Sequence, residues 1–157
     1  MPQEQKSILL FEDDFESMHD LKEHLEETMG WHVELTADRG LPERLGQERF
    51  DLVIVDAMIR PTSLDAEGKE VENVHFDNTR WLETGIEFLR RLRKGEFSQE
   101  GDTGTSPNVP VIILSAAATH SVERELGDHL TVEGYAEKPF RLEDMVERIR
   151  KLLQELP

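Results

Sequence analysis

The chain has 157 residues and a formal net charge of −16, from 34 Asp and Glu against 18 Lys and Arg, with 37% hydrophobic residues. That length suits one compact domain, and the acidic excess repels nucleic acid and anionic lipid headgroups, which argues against a direct nucleic-acid partner. The absence of cysteine excludes disulfides, Cys-ligated metal and a thiol nucleophile. No apolar run approaches the roughly 20 residues of a membrane helix, and the opening MPQEQKS lacks the apolar stretch of a signal peptide. A soluble, cytoplasmic protein without a membrane partner is expected.

Along the chain, short apolar runs at Ile8 to Phe11, Val33 to Thr36, Leu52 to Val55 and Val109 to Leu114 read as strands buried on both faces, because their apolar residues run together instead of alternating. A weaker fifth strand fits Glu133 to Ala136. After the first run, Phe15, Met18, Leu21, Leu25 and Met29 recur at helical spacing and stop at Gly30, a residue suited to a left-handed cap; Asp13 and Asp14 are candidates to cap its start. Further helices are expected over Leu41 to Glu48, over Gly85 to Lys94, near Val122, Leu126 and Leu130, and along an apolar stripe from Leu142 to Leu156. Strand and helix alternate five times. The expected fold is therefore a flavodoxin-like (βα)5 three-layer α/β sandwich with a five-stranded parallel sheet, its ligand site at the carboxyl ends of the strands.

Residues 1–157 read as a single domain carrying two additions to that minimal pattern. An inserted segment at about 62–82 follows the third strand and holds Val71, Val74, Phe76 and Trp81, enough to order itself as a hairpin around Glu67 and Gly68. A long loop at about 95–108 is rich in Gly, Ser, Thr and acids and reads as a mobile surface loop. Loops this long are usually lids, binding loops or disordered.

The chemistry gathers at the strand ends. ILLFEDD places Glu12, Asp13 and Asp14 after the first strand, and DLVIVDAM places Asp56 at the end of the third. Two carboxylates about 4 Å apart repel by roughly 4 kcal/mol at an effective dielectric near 20, so the cluster calls for a counter-charge. A hard cation such as Mg²⁺ supplies it, with Asp13 and Asp56 as direct ligands and Glu12 acting through water; Asp14 reads as a helix cap. VPVIILSA presents Ser115 at the same edge and YAEKPF presents Lys138. Mg²⁺, Ser115 and Lys138 together suit the equatorial oxygens of a phosphoryl group, which leaves Asp56 as the nucleophile that becomes an aspartyl phosphate.

In this order and spacing, ILLFEDD, DLVIVDAM, VPVIILSA and YAEKPF resemble the receiver domain of two-component response regulators, over most of the chain outside the two long loops. The resemblance implies that Asp56 is the phosphoacceptor, that Glu12 and Asp13 are the Mg²⁺-binding acidic pair, and that the backbone carbonyl of Met58 completes the metal site. It likewise implies that Ser115 is the switch hydroxyl, that Lys138 pairs with the phosphoryl group and that Pro139 follows a cis bond, although trans is the general default for proline. Tyr135 matches the aromatic that turns inward on activation and reads equally well as an ordinary half-buried strand residue.

Two departures stand out. The family's proline four residues after the aspartate is here Pro61, five after Asp56, and the glycine opening the third helix matches Gly85, 29 residues after Asp56 instead of about eight. The active-site loop is thus remodelled, and the insert is expected to cover the site or read out its state. Met58 and Ala117 offer no polar group to position a hydrolytic water, which by the same resemblance implies slow self-dephosphorylation.

The function expected is a stand-alone phosphoacceptor in a phosphorelay. It would take its phosphoryl group from a sensor histidine kinase or phosphotransfer protein and signal to an output protein, with a homodimer on activation as a further possibility. It is no enzyme apart from catalysing its own phosphorylation and dephosphorylation. The alternative is a pseudo-receiver, a phosphorylation-independent protein-binding scaffold. A phosphohydrolase of the haloacid-dehalogenase type would need an acid where Met58 stands. The six histidines, His19, His24, His32, His75, His120 and His129, show no metal-ligand spacing, and Trp31 and Trp81 read as packing residues.

Overall fold

A computed structural model of the chain describes residues 5–65, 67–99, 103–116 and 130–155. Five strands form one parallel sheet: β1 (Ser7–Phe11), β2 (His32–Thr36), β3 (Leu52–Asp56), β6 (Val111–Ser115) and β7 (Gly134–Glu137), in the order β2-β1-β3-β6-β7. The sheet is flanked by α1 (Phe15–Met29), α2 (Leu41–Leu45), α3 (Thr84–Arg93) and α4 (Leu142–Glu155). This is the expected flavodoxin-like arrangement. The helix read near Val122 and Leu126 lies outside the described residues, as does Ala117. Among the described residues no helix is long and apolar enough to cross a membrane.

The continuous apolar runs are explained by burial on both sides. Every residue of β3 and β6 is buried, and alternate side chains serve opposite layers. Leu9, Phe11, Val53, Val55, Val111 and Ile113 pack in one cluster with residues of α2 and α3; Ile8, Leu10, Leu52, Ile54, Ile112 and Leu114 pack in the other with residues of α1 and α4. Burying one such aliphatic side chain is worth about 2 kcal/mol, so these strands and their facing helices supply most of the core's driving force. Helix α1 begins as read, with the Asp14 side chain accepting from the Ser17 N–H at 3.3 Å, and it stops at Gly30 with φ +69°.

The insert is ordered around a short antiparallel hairpin, β4 (Thr62–Leu64) and β5 (Glu70–Glu72), with Gly68 at φ +79° in its turn. A buried Asn73 attaches it to the body. Its N–H donates to Pro61 O at 2.8 Å and its side-chain amide donates to Arg60 O at 2.9 Å, while the Val74 N–H reaches Ala37 O at 2.8 Å. Val74 joins the core, and Phe76 packs against it beneath the Arg91 guanidinium, 4.2 Å from the ring centre. Trp81 departs from its reading as a packing residue: it is 43% exposed in a 3₁₀ turn (Trp81–Glu83), whereas Trp31 is buried.

The 95–108 segment also departs from expectation. Read as a mobile surface loop, it is pinned at both described ends. Phe97 stacks against Phe88 with ring centres 5.2 Å apart. Thr105 is buried, its hydroxyl donating to Glu48 O at 2.7 Å and accepting from the Phe50 N–H at 3.0 Å. Composition reports the polarity of such a stretch but not the backbone groups it meets.

Candidate functional site

Parallel strands deliver their last residues to one edge, which places Glu12 and Asp13 just past β1, Asp56 at the end of β3, Ser115 at the end of β6 and Lys138 just past β7. Asp56 is only 3% exposed and Glu12 1%, and Asp13 and Ser115 are buried as well. Lys138 reaches into this acidic group: its Nζ donates to Asp56 Oδ2 at 2.7 Å and also to Glu12 Oε1. A cis peptide precedes Pro139, and the Lys138 N–H donates to Ser115 O at 2.9 Å, tying the lysine's loop to the end of β6.

The backbone around Asp56 is held by its neighbours. Asp56 Oδ1 accepts from the Met58 N–H at 2.8 Å, which closes a short turn over the site, and Ala57 O accepts from the Gly85 N–H at 3.0 Å. Gly85 approaches so closely that a Cβ on it would sit 2.0 Å from Asp56 O. The glycine matched by resemblance across the insert is therefore the residue that packs on Asp56. Tyr135 is half-buried against the α2/α3 core cluster, and its carbonyl accepts from Arg148 at 2.6 Å; both readings of its role remain compatible with that position.

The three acids do not form one ligand cluster as the sequence suggested. Among the described residues, no three His, Cys, Asp or Glu side chains stand together as a prepared metal site. Two cations divide them: Lys138 takes Glu12 and Asp56, and Arg60 takes Asp13, whose Oδ2 accepts from the Arg60 Nε at 3.1 Å and N–H at 3.2 Å. Arg60 was missed from sequence. Its only signal there is its place as the first cation after Asp56, in a loop leaving the same sheet edge.

The donor set nevertheless suits a hard cation. Glu12 Oε2 is buried without a hydrogen-bond partner among the described residues, a polar atom near Asp56 that a cation or its hydration shell would satisfy. Burial, and then the neighbouring Asp56, push the Glu12 carboxyl up from 4.5 to about 9 against the opposing pull of Lys138. Burial alone would lower Lys138, but the adjoining Asp56 and Glu12 carboxylates outweigh it and raise its pKa. At neutral pH Glu12 thus carries a proton in the metal-free fold.

A stability consequence follows from the sign of that shift. Between pH 4.5 and about 9 the folded protein holds a proton on Glu12 that the unfolded chain has released. Stability from this group is complete below the lower value and declines as pH rises toward the upper one, by at most about 1.4 kcal/mol per pH unit. The Glu12→Gln variant has no such proton to hold. In metal-free thermal melts from pH 5 to 8, its midpoint relative to the wild type is expected to climb steadily; a difference that stays flat with pH refutes the assignment.

No family model and no curated protein matches the sequence. Solved structures do match. A response regulator from Thermotoga maritima superposes with TM-score 0.65 at 22% identity over 97% of this chain and 100% of that one. The chemotaxis protein CheY4 of Vibrio cholerae gives TM-score 0.66 at 18% identity, with 96% and 100% covered. The receiver domain of the sensor histidine kinase PA1611 from Pseudomonas aeruginosa, solved with a magnesium ion coordinated in its active-site cleft, gives 0.59 at 21% identity, with 97% and 100% covered. Nearly the whole chain is thus accounted for by one architecture, and it has the receiver-domain fold of response regulators.

Proposed function

We propose that the protein is a phosphoacceptor receiver in a phosphorelay. Asp56 would take a phosphoryl group from a phosphohistidine on a sensor kinase or phosphotransfer protein. The observation that carries this reading is the buried Asp56 carboxylate at the carboxyl edge of the sheet, held at 2.7 Å by Lys138, which also pairs with Glu12. In the transfer, an Asp56 oxygen forms the new P–O bond as the donor's P–N bond breaks, and the departing imidazole nitrogen takes a proton from solvent. Lys138 already sits on the acceptor carboxylate and would pair with the incoming equatorial oxygens; Ser115 lies at the next strand end to donate a hydrogen bond to another. Glu12, Asp13, Asp56 and the Met58 carbonyl would hold Mg²⁺, which when bound offsets the charge that accumulates on the transferring group. The magnesium in the PA1611 receiver domain supports this choice of metal.

Phosphorylation would then favour the conformer in which Ser115 and Tyr135 turn toward the site, and an output protein binding that conformer would sense it. The chain acts in this reading as one domain with an insert, cytoplasmic, and catalytic only toward its own phosphoryl group. The phosphorylation-independent scaffold is favoured by one observation, the Arg60 guanidinium on Asp13.

Intact mass after incubation with Mg²⁺ and acetyl phosphate decides between the two. Gain of one phosphoryl group is expected, and it disappears in Asp56→Asn and in metal-free samples. No gain here or with phosphohistidine donors overturns the phosphoacceptor reading in favour of the scaffold.

A further inference from the structure

The Arg60–Asp13 pair has an unusual position. The Asp13 side chain is almost fully buried and accepts two hydrogen bonds from a single residue, Arg60, whose side chain is 61% exposed. That residue belongs to the insert as much as to the site. Arg60 O accepts from the Asn73 side chain at 2.9 Å, Asn73 N–H donates to Pro61 O at 2.8 Å, and Ile59 N–H donates to Trp81 O at 3.1 Å. The root of the hairpin is thereby hydrogen-bonded on both sides of the residue that neutralises Asp13. In front of the pair opens a cleft of about 590 Å³ between α1 and the hairpin, and Arg60 is the one cation among its described lining residues, facing Asp13, Asp14, Glu16, Asp65 and Glu70.

A guanidinium and a divalent cation have the same claim on the Asp13 carboxylate, and two positive groups beside it repel each other. We propose that Arg60 is an internal competitor for the cation, so that metal binding at Asp13 releases Arg60 and with it shifts the root of the hairpin. This inference rests on the proposed Mg²⁺-dependent site. The insert thereby gains a role, because its root is hydrogen-bonded to the residue that sets how readily the site loads, and that root moves when loading occurs. By reciprocity, whatever binds the hairpin and draws Arg60 away from Asp13 tightens the cation site by the factor with which the cation favours that displaced hairpin.

The test uses the full chain in a Trp31→Phe background, which leaves Trp81 as the sole tryptophan. Mg²⁺ is titrated by calorimetry and by Trp81 emission. In Arg60→Ala the Mg²⁺ dissociation constant is expected to fall about three-fold, the scale of a partly exposed ion pair. The Mg²⁺-dependent change in Trp81 emission is expected to vanish, because the root is already released. Arg80→Ala, which removes the same charge from the same insert, keeps the parent affinity and the emission change. Equal or weaker Mg²⁺ binding by Arg60→Ala overturns the inference and leaves the site reading intact, as does a matching gain in Arg80→Ala. If neither the parent nor Arg60→Ala binds Mg²⁺, the metal site itself falls, and the inference with it.

Discussion

Replacing Lys138 by Met is expected to destabilise the metal-free protein by about 3 kcal/mol at pH 7, because it removes the cation from two buried carboxyl groups and leaves Asp56 without its ion pair. Methionine keeps the aliphatic stem, so the loss reads the charge rather than the packing. The raised Glu12 pKa limits the damage, since a protonated Glu12 adds no second charge. Two further signs identify the mechanism. The deficit stays level from pH 6 to pH 8, where Glu12 keeps its proton with or without Lys138, and grows as pH rises through about 9, and saturating Mg²⁺ reduces it by restoring a positive charge at the carboxylates. Denaturant melts of Lys138→Met and wild type, with and without Mg²⁺, provide the measurement. A pH-independent deficit that Mg²⁺ does not touch would mean that Lys138 contributes through packing alone.

Gly85→Ala is the second large effect. A Cβ there would lie 2.0 Å from Asp56 O and 2.8 Å from Asp56 C, and these are backbone atoms of a central strand that cannot turn aside as a side-chain tip would. Overpacking in well-packed cores typically costs 1–3 kcal/mol, and a backbone collision belongs at the upper end, about 3 kcal/mol, or roughly a 10 °C loss in Tm for a domain of this size. The displacement falls on Asp56 itself, so under the proposed function phosphoryl uptake from acetyl phosphate is expected to drop at least tenfold even at temperatures where the variant is folded. Gly68→Ala is the contrasting control: nothing lies within 4 Å of a Cβ there, and only its φ of +79° opposes the change, at about 1 kcal/mol. A Gly85→Ala protein with wild-type Tm and uptake would show that the close approach relaxes freely.

The contrast between these residues shows where the amino-acid sequence speaks plainly. Strands β1, β3 and β6 were legible because each is apolar on both faces, and Glu12, Asp13, Asp56 and Ser115 were legible because each directly follows or ends such a run; β2 and β7 are only partly buried, and Lys138 follows the weaker of the expected strands. Periodicity locates an edge, and a parallel sheet turns several edges into one. Gly85 was legible only through the family resemblance, since its demand comes from a backbone atom 29 residues earlier. Arg60, Asn73 and Thr105 were not legible at all. Arg60 meets Asp13 from 47 residues away, and Thr105 bridges Glu48 and Phe50 across more than 50. No local pattern encodes a polar side chain whose partner is a distant carboxylate or carbonyl. The division of the acids between Lys138 and Arg60 follows from that second group, and so does the gap between the cluster expected from spacing and the two ion-paired sets observed.

The hydrogen bond from Ile59 to Trp81 brings the two ends of the insert together on the body of the domain, with 21 residues between them. Chain length between two such fixed points is thermodynamically cheap: extending a connection from about eight residues to about 29 adds only about 1 kcal/mol of closure entropy. The hairpin from Thr62 to Glu72 is thus a cassette. Its turn around Gly68 is open to exchange for a peptide epitope or a circularly permuted reporter, while Ser63 and Glu72 keep their bonds to Asn73 and Arg39 and the sheet continues to align its strand ends. An exchange that keeps Arg60, Asn73 and Trp81 in place would convert the occupancy of the carboxylate site into the readout of whatever is grafted there.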